Sequence, residues 1–172
     1  MTRYVALLRG INVGGNVLIK MTDLAELVRG LGYDDVKTVL ASGNVLFTTK
    51  DAAATARRKL EAALTQRFGY EAWVQVLSVT RLRAIVDAYP FDRREGWQHY
   101  VVFVPDGGVR ASILAVEHEP EQDLAEEGDG VIYWSVPRGR TLESPFTRAQ
   151  NTAKTRPHVT NRNINTLEKL LR

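Results

Sequence analysis

The chain contains no cysteine. That removes disulfides, a thiolate nucleophile and cysteine-held metal from consideration, and it fits a reducing compartment. Uninterrupted apolar runs are short, and none approaches the ~20 residues of a membrane-spanning helix. Only Arg3 precedes the first strand-like run as a charged residue, and no apolar h-region with a small-residue cleavage site follows it. The expectation is a mature, soluble, cytoplasmic protein with no membrane partner. Histidine is scarce as well. His99, His118 and His158 lie far apart, without H-x-x-x-H ligand spacing and without a neighbouring G-x-S-x-G nucleophile motif. No D-x-D-x-D-G calcium loop occurs in the acidic stretch. No metal and no cofactor are therefore expected.

What charge there is, is segregated. The net charge is +3 over 172 residues, with 44% apolar and 25% charged residues, an ordinary globular balance. Glu117 to Asp129 holds seven acids and neither lysine nor arginine, whereas Arg138 to Arg172 holds eight bases against Glu143 and Glu168. The basic stretch has no compact Lys/Arg cluster, so it reads as a solvated face, with an anionic partner as the alternative.

The apolar periodicity predicts an alternating order of elements. Tyr4 to Leu8 is a short apolar run, read as a buried strand. Thr22 is placed to cap a helix with Asp23 and Glu26 at its positive end, and Leu24, Leu27, Val28 and Leu31 form one stripe on it before Gly30 and Gly32. Val36 to Leu40 and Val45 to Thr49 read as strands joined by the turn Ser42-Gly43-Asn44. Asp51 can cap a second helix lined by Leu60, Ala63, Leu64 and Phe68 and closed by Gly69, and Trp73 to Leu77 is a fourth strand. The order β-α-β-β-α-β is the ferredoxin-like unit. A helix over Leu82 to Tyr89 ends at Pro90, and Phe91 to Trp97 reads as a linker.

The second half repeats the pattern. Tyr100 to Val104 precedes Asp106-Gly107-Gly108 as Tyr4 to Leu8 precedes its own glycine-rich loop. Val109 to Glu117 reads as a helix, Asp123 to Glu127 as a strand, and Gly128-Asp129-Gly130 as the turn into Val131 to Trp134. A helix around Phe146 to Ala153, a short strand over His158 to Thr160 and a terminal helix carrying Ile164, Leu167, Leu170 and Leu171 complete the copy. The expected fold class is α+β: two tandem ferredoxin-like (βαββαβ) halves with antiparallel sheets and a C-terminal helix. The first half with its trailing helix covers 1–90, and the second covers 98–172.

One stretch concentrates chemistry. Leu7 to Asn16 brings Arg9, two amides and three glycines into one loop. It has neither the Gly-Lys-Ser/Thr of a P-loop nor the G-x-G-x-x-G of a dinucleotide site. Glycine-rich backbone can turn its N–H groups toward an anion, and Arg9 adds a fork suited to phosphate or carboxylate. The same residues also suit a plain tight loop in which Arg9 pairs with a surface acid. In a βαββαβ unit the first strand lies between the third and fourth, antiparallel to both. Arg9 to Asn12 are thereby expected beside Ser42-Gly43-Asn44. The matching end of the second copy carries Asp106 and Asp129, which repel an anion.

RNA-recognition domains share this topology and expose aromatics on their first and third strands. Here those strands supply Tyr4 and Phe47 without an RNP1-like string, and Tyr100, Tyr133 and Trp134 read as packing residues.

Three strings, Leu7 to Gly15 (LLRGINVGG), Leu40 to Phe47 (LASGNVLF) and Thr160 to Leu170 (TNRNINTLEKL), resemble the bacterial domain-of-unknown-function family sixteen-ninety-seven. The third departs from the family pattern, which is closer to T-T-R-N-W-N-T. Asn161 stands at its second Thr and Ile164 at its Trp, so no role of that ring carries over. The resemblance implies two tandem ferredoxin-like halves and no activity.

The expected function is binding of a small phosphate- or carboxylate-bearing ligand. Arg9, Gly10, Asn12, Ser42 and Asn44 are the ligand-binding candidates by strand adjacency. Arg162 and Asn163 join them from the dense cluster Asn161 to Asn165. The alternatives are an enzyme acting on such a substrate and a weak nucleic-acid-binding module.

Overall fold

The computed structural model describes residues 1–14 and 17–172. Gly15 and Asn16, which belong to the glycine-rich loop of the sequence, lie outside the described residues. The chain divides into two packed units, Met1–Arg83 with Glu168–Arg172, and Ala84–Leu167. Each is α+β and carries a four-stranded antiparallel sheet with βαββαβ order. Among the described residues no helix is long and apolar enough to cross a membrane.

The first unit runs β1 (Thr2–Leu8), α1 (Met21–Gly30), β2 (Asp34–Thr38), β3 (Asn44–Thr49), α2 (Ala53–Phe68) and β4 (Val74–Ser78), and ends in the first residues of α3 (Val79–Asp87). Its sheet has the order β2-β3-β1-β4. Cross-strand pairs Tyr4↔Phe47 and Ala6↔Val45 share one face. That face packs on Leu24 and Val28 of α1 and on Leu60 and Leu64 of α2 to form the core. The helical stripes read from the sequence are the buried ones. Tyr4 and Phe47 are buried in this core, and Phe47 stacks on Tyr33 with centroids 5.0 Å apart. They are packing residues, unavailable as base-stacking platforms.

Two helix starts differ from the sequence reading. Thr22 does not cap α1, which starts at Met21 after an extended Lys20 that makes no side-chain cap. Burial of Leu24 and Val28 fixes this start, overriding the local cap preference. Asp51 does not cap α2 either, because Ala52 takes the N-cap position. The Asp51 carboxylate accepts from Lys59 Nζ and from the Tyr33 hydroxyl, each at 2.8 Å. These two bonds, the lysine's first, hold its carboxyl below the usual carboxylate range. Gly69 closes α2 as expected, with φ of 67° and its N–H on Thr65 O at 3.0 Å.

The second unit contains the end of α3, then β5 (Trp97–Phe103), α4 (Gly107–Leu114), β6 (Leu124–Glu127), β7 (Val131–Pro137), α5 (Pro145–Gln150), a 3₁₀ turn (Arg156–His158), β8 (Thr160–Asn163) and the start of α6 (Ile164–Leu170). Its sheet order, β6-β7-β5-β8, repeats that of the first, so β5 occupies the position of β1. Even the strand-end hydrogen bond repeats: Leu8 N–H donates to Gly43 O at 2.9 Å, and Val104 N–H to Gly130 O at 2.9 Å. Trp134 stacks on Tyr100 at 5.0 Å and packs with Phe146 and Ile132 in the core.

Two expectations shift here as well. The last strand is Thr160–Asn163, while His158 closes the 3₁₀ turn. Backbone pairing of Phe103↔Thr160 through Tyr100↔Asn163 makes a strand of a polar string. Asp106-Gly107-Gly108 does not form an open loop. Asp106 Oδ1 accepts the Val109 N–H at 2.9 Å, which makes the two glycines the first turn of α4.

Gly43 and Gly69 give contrasting tests of backbone constraint. Both have positive φ, but a Cβ at Gly43 would lie 2.7 Å from Ile11 Cδ1 and 3.0 Å from Leu8 Cβ, whereas one at Gly69 meets nothing within 4 Å. Gly69→Ala is expected to cost about 1 kcal/mol of backbone strain. Gly43→Ala adds overpacking, for about 3 kcal/mol in all. Equal losses in urea unfolding would refute the packing argument.

Candidate functional site

The loop after β1 is built outward from the sheet. Once Leu8 has paired with Gly43, the Arg9 N–H donates to Trp73 O at 3.1 Å. The chain then leaves the sheet through Gly10 (φ 70°), Asn12 (φ 55°) and Gly14 (φ 68°), while Ile11 and Val13 between them keep negative φ. Alternation of this kind is one way in which a backbone directs N–H groups toward an anion. Ile11 anchors the loop, its side chain buried beneath Gly43. Gly10, Val13 and Gly14 are exposed, and Arg9 is half-buried.

Asn12 holds the far side of the loop. Its Oδ1 accepts the Ile19 N–H at 2.9 Å, and its Nδ2 donates to Ile19 O at 2.9 Å and to Ala41 O at 2.7 Å. Its own N–H donates to Val17 O at 2.7 Å. The side chain thus imitates a strand partner for Ile19 and ties the loop to the β2–β3 connection. Asparagine suits the position twice over, since it tolerates the left-handed φ and supplies both a donor and an acceptor. Asn44 plays the matching part in that connection. It is fully buried, and its Nδ2 donates to Val39 O at 2.8 Å and to Ser42 Oγ at 2.9 Å.

The structure therefore brings Arg9, Gly10, Asn12, Ser42 and Asn44 to one end of the first sheet, with the amides of Asn12 and Asn44 engaged in shaping the loops. Arg162 and Asn163 belong to β8 of the second unit. Arg162 is buried, stands opposite Val101 and donates through Nη1 to Asn161 O at 2.8 Å. Asn163 donates to Gln98 Oε1 at 3.1 Å, and its Oδ1 accepts the Asn165 N–H at 2.9 Å, a capping bond at the start of α6. Ile19 and Ala41, which the sequence reading missed, take part through carbonyls that every residue possesses, so no side-chain signal marks them.

Among the described residues no group of three or more His, Asp or Glu side chains is placed to hold a metal ion. Nor does His99 make an open catalytic site. His99 Nδ1 is 3.0 Å from Ser135 Oγ and 3.3 Å from the Tyr89 hydroxyl, but His99 and Ser135 are both buried, and burial pushes the imidazole below its ordinary pKa. A serine enclosed in this way offers a substrate no approach.

Residues 1–133 match the family described as a protein of unknown function, DUF1697, and the chain belongs to that family. Among solved structures it is similar to the conserved bacterial protein SP0830 from Streptococcus pneumoniae, with 26% sequence identity and a TM-score of 0.81 over 98% of this chain and 96% of that one. None of the curated proteins matches the chain.

The Asn12 clip has a measurable consequence. Asn12→Gly keeps the left-handed φ but removes three side-chain hydrogen bonds. It is expected to cost about 1–3 kcal/mol and to speed exchange of the Ile19 amide. Unchanged protection of Ile19 in hydrogen exchange would show that the clip does not hold the loop.

Proposed function

We propose that this DUF1697 member binds a small phosphate- or carboxylate-bearing ligand on the loop of residues 9–14. The observation that carries the reading is the alternation of φ at Gly10, Asn12 and Gly14 beside an arginine. The N–H groups of Gly10, Ile11, Val13 and Gly14 serve as donors, and Arg9 contributes its guanidinium fork. Asn12, Ser42 and Asn44 act one step back by holding the two loops in shape, and the Asn12 N–H is taken by Val17 O. Arg162 and Asn163 take no part in this reading.

Binding is favoured over catalysis because the side chains from Arg9 to Gly14 supply neither a general acid or base of suitable pKa nor a nucleophile. A small ligand is favoured over nucleic acid because Tyr4 and Phe47 are committed to the core.

Thermal shift and amide NMR with inorganic phosphate, sulfate and small dicarboxylates test the reading. At a concentration one hundred times its Kd, a bound anion adds about 2.7 kcal/mol of stability. The resonances of Gly10, Ile11, Val13 and Gly14 should move together. Arg9→Ala should leave the fold intact and weaken binding by roughly tenfold or more. Gly10→Ala, whose Cβ meets nothing within 4 Å, should weaken binding through φ alone. If no anion in the panel shifts the wild-type melting temperature or those amides, the reading falls.

A further inference from the structure

A cavity of about 350 Å³ opens in the second unit between the α4–β6 connection and the β7–α5 loop. Glu117, Glu119, Asp123 and Glu143 line it together with His118 and Arg140. Four carboxylates thus face one guanidinium, which stands 4.0 Å from Glu143 with more than half its side chain exposed, a weak ion pair.

Asp123 sets this cavity apart from a merely acidic surface. It is 6% exposed, and one of its oxygens, Oδ1, accepts both the Trp134 indole N–H at 2.9 Å and the Ser144 hydroxyl at 2.7 Å. Trp134 and Ser144 are themselves buried. Both of these bonds fall on Oδ1, which leaves Oδ2 without a hydrogen bond among the described residues, and Asp123 is one of the residues that line the cavity. Two neutral donors offset only part of the cost of burying a carboxylate; a cation is the usual complement.

His118 lines the same cavity and is held in place. Its Nδ1 lies 2.9 Å from Val116 O, and a carbonyl only accepts, so Nδ1 carries the proton. Its ring is fixed against Phe146 with centroids 4.8 Å apart.

We propose that this cavity binds a small organic cation, a primary ammonium or guanidinium compound, with Asp123 Oδ2 as the buried anchor and Glu117, Glu119 and Glu143 as the surrounding field. A metal ion fits less well, since no group of three ligating side chains converges among the described residues. A quaternary ammonium lacks the N–H that Oδ2 calls for, and the lining forms no aromatic cage. The volume lies at the small end of ligand pockets, which suits a metabolite-sized amine.

The Trp134 indole N–H, bonded to Asp123, is a built-in reporter. Putrescine and agmatine are titrated at constant ionic strength, with tetramethylammonium and glutarate as controls, while that ¹⁵N resonance and the heat of binding are followed. A saturable shift with putrescine or agmatine, and none with the controls, is the expected result. Asp123→Asn keeps an oxygen for both Trp134 and Ser144 and removes only the charge. It should weaken binding on the order of tenfold or more. Glu117→Gln and Glu143→Gln, on the outer rim, should each weaken it by a smaller factor and serve should Asp123→Asn not fold. Absence of saturable amine binding to the wild type, equal affinity for tetramethylammonium, or full affinity in folded Asp123→Asn would overturn the proposal.

Discussion

Register of the central strand is the constraint on which each half depends. A slip of one residue in β1 would turn Val5 and Leu7 toward the helices in place of Tyr4, Ala6 and Leu8 and break the packing those three make there. The ladder is set on both flanks, by Val5↔Leu46 on one side and Val5↔Leu77 on the other. Its end is fixed by the bond from Leu8 to Gly43, and the counterpart from Val104 to Gly130 fixes β5. The strongest evidence for an internal repeat is this shared ending, because it survives where side-chain identity between the halves has been lost.

Beyond that point the two halves diverge. After Leu8 the chain makes a long excursion clipped by Asn12, with an arginine at its root. After Val104 it turns at once into a helix capped by Asp106, and Arg110 folds back to donate to Val104 O at 2.8 Å and to Glu127 at 2.8 Å. A position that in one half offers backbone donors is filled in the other by a side chain bonded within its own unit. Conversely, the acidic cavity of the second unit is built on a long α4–β6 connection, where the first unit has only the short span from Gly30 to Asp34. A duplicated scaffold thus presents different chemistry from different connections.

Much of this was legible in the sequence, and the exceptions share a cause. Element order, the buried stripes of α1 and α2, the turn at Gly43 and the neighbourhood of Arg9 and Ser42 follow from periodicity and topology. Thr22 and Asp51 misled because a local cap preference is weak beside burial of Leu24 or an ion pair with Lys59. The string Thr160 to Asn163 hid its strand because its partner, β5, supplies the pairing that its composition does not suggest. Asp123 reads as one acid among seven; what distinguishes it is Trp134 and Ser144, 11 and 21 residues away. The Asn12 clip acts on carbonyls, which leave no mark in a sequence.

The first unit includes Glu168–Arg172, whose backbone accepts a bond from Arg83 Nη2 at Leu171 O, 3.3 Å. It is therefore not a prefix of the chain. During synthesis its four strands and two helices emerge from the ribosome well before the segment that completes it, and the entire second sheet is translated in the interval. Domains usually fold as they emerge, and the five residues that group with this one are translated only after its neighbour. The order of translation and the order of completion are thus uncoupled, and separating the halves by a single cut in the gene would leave the first without its closing residues.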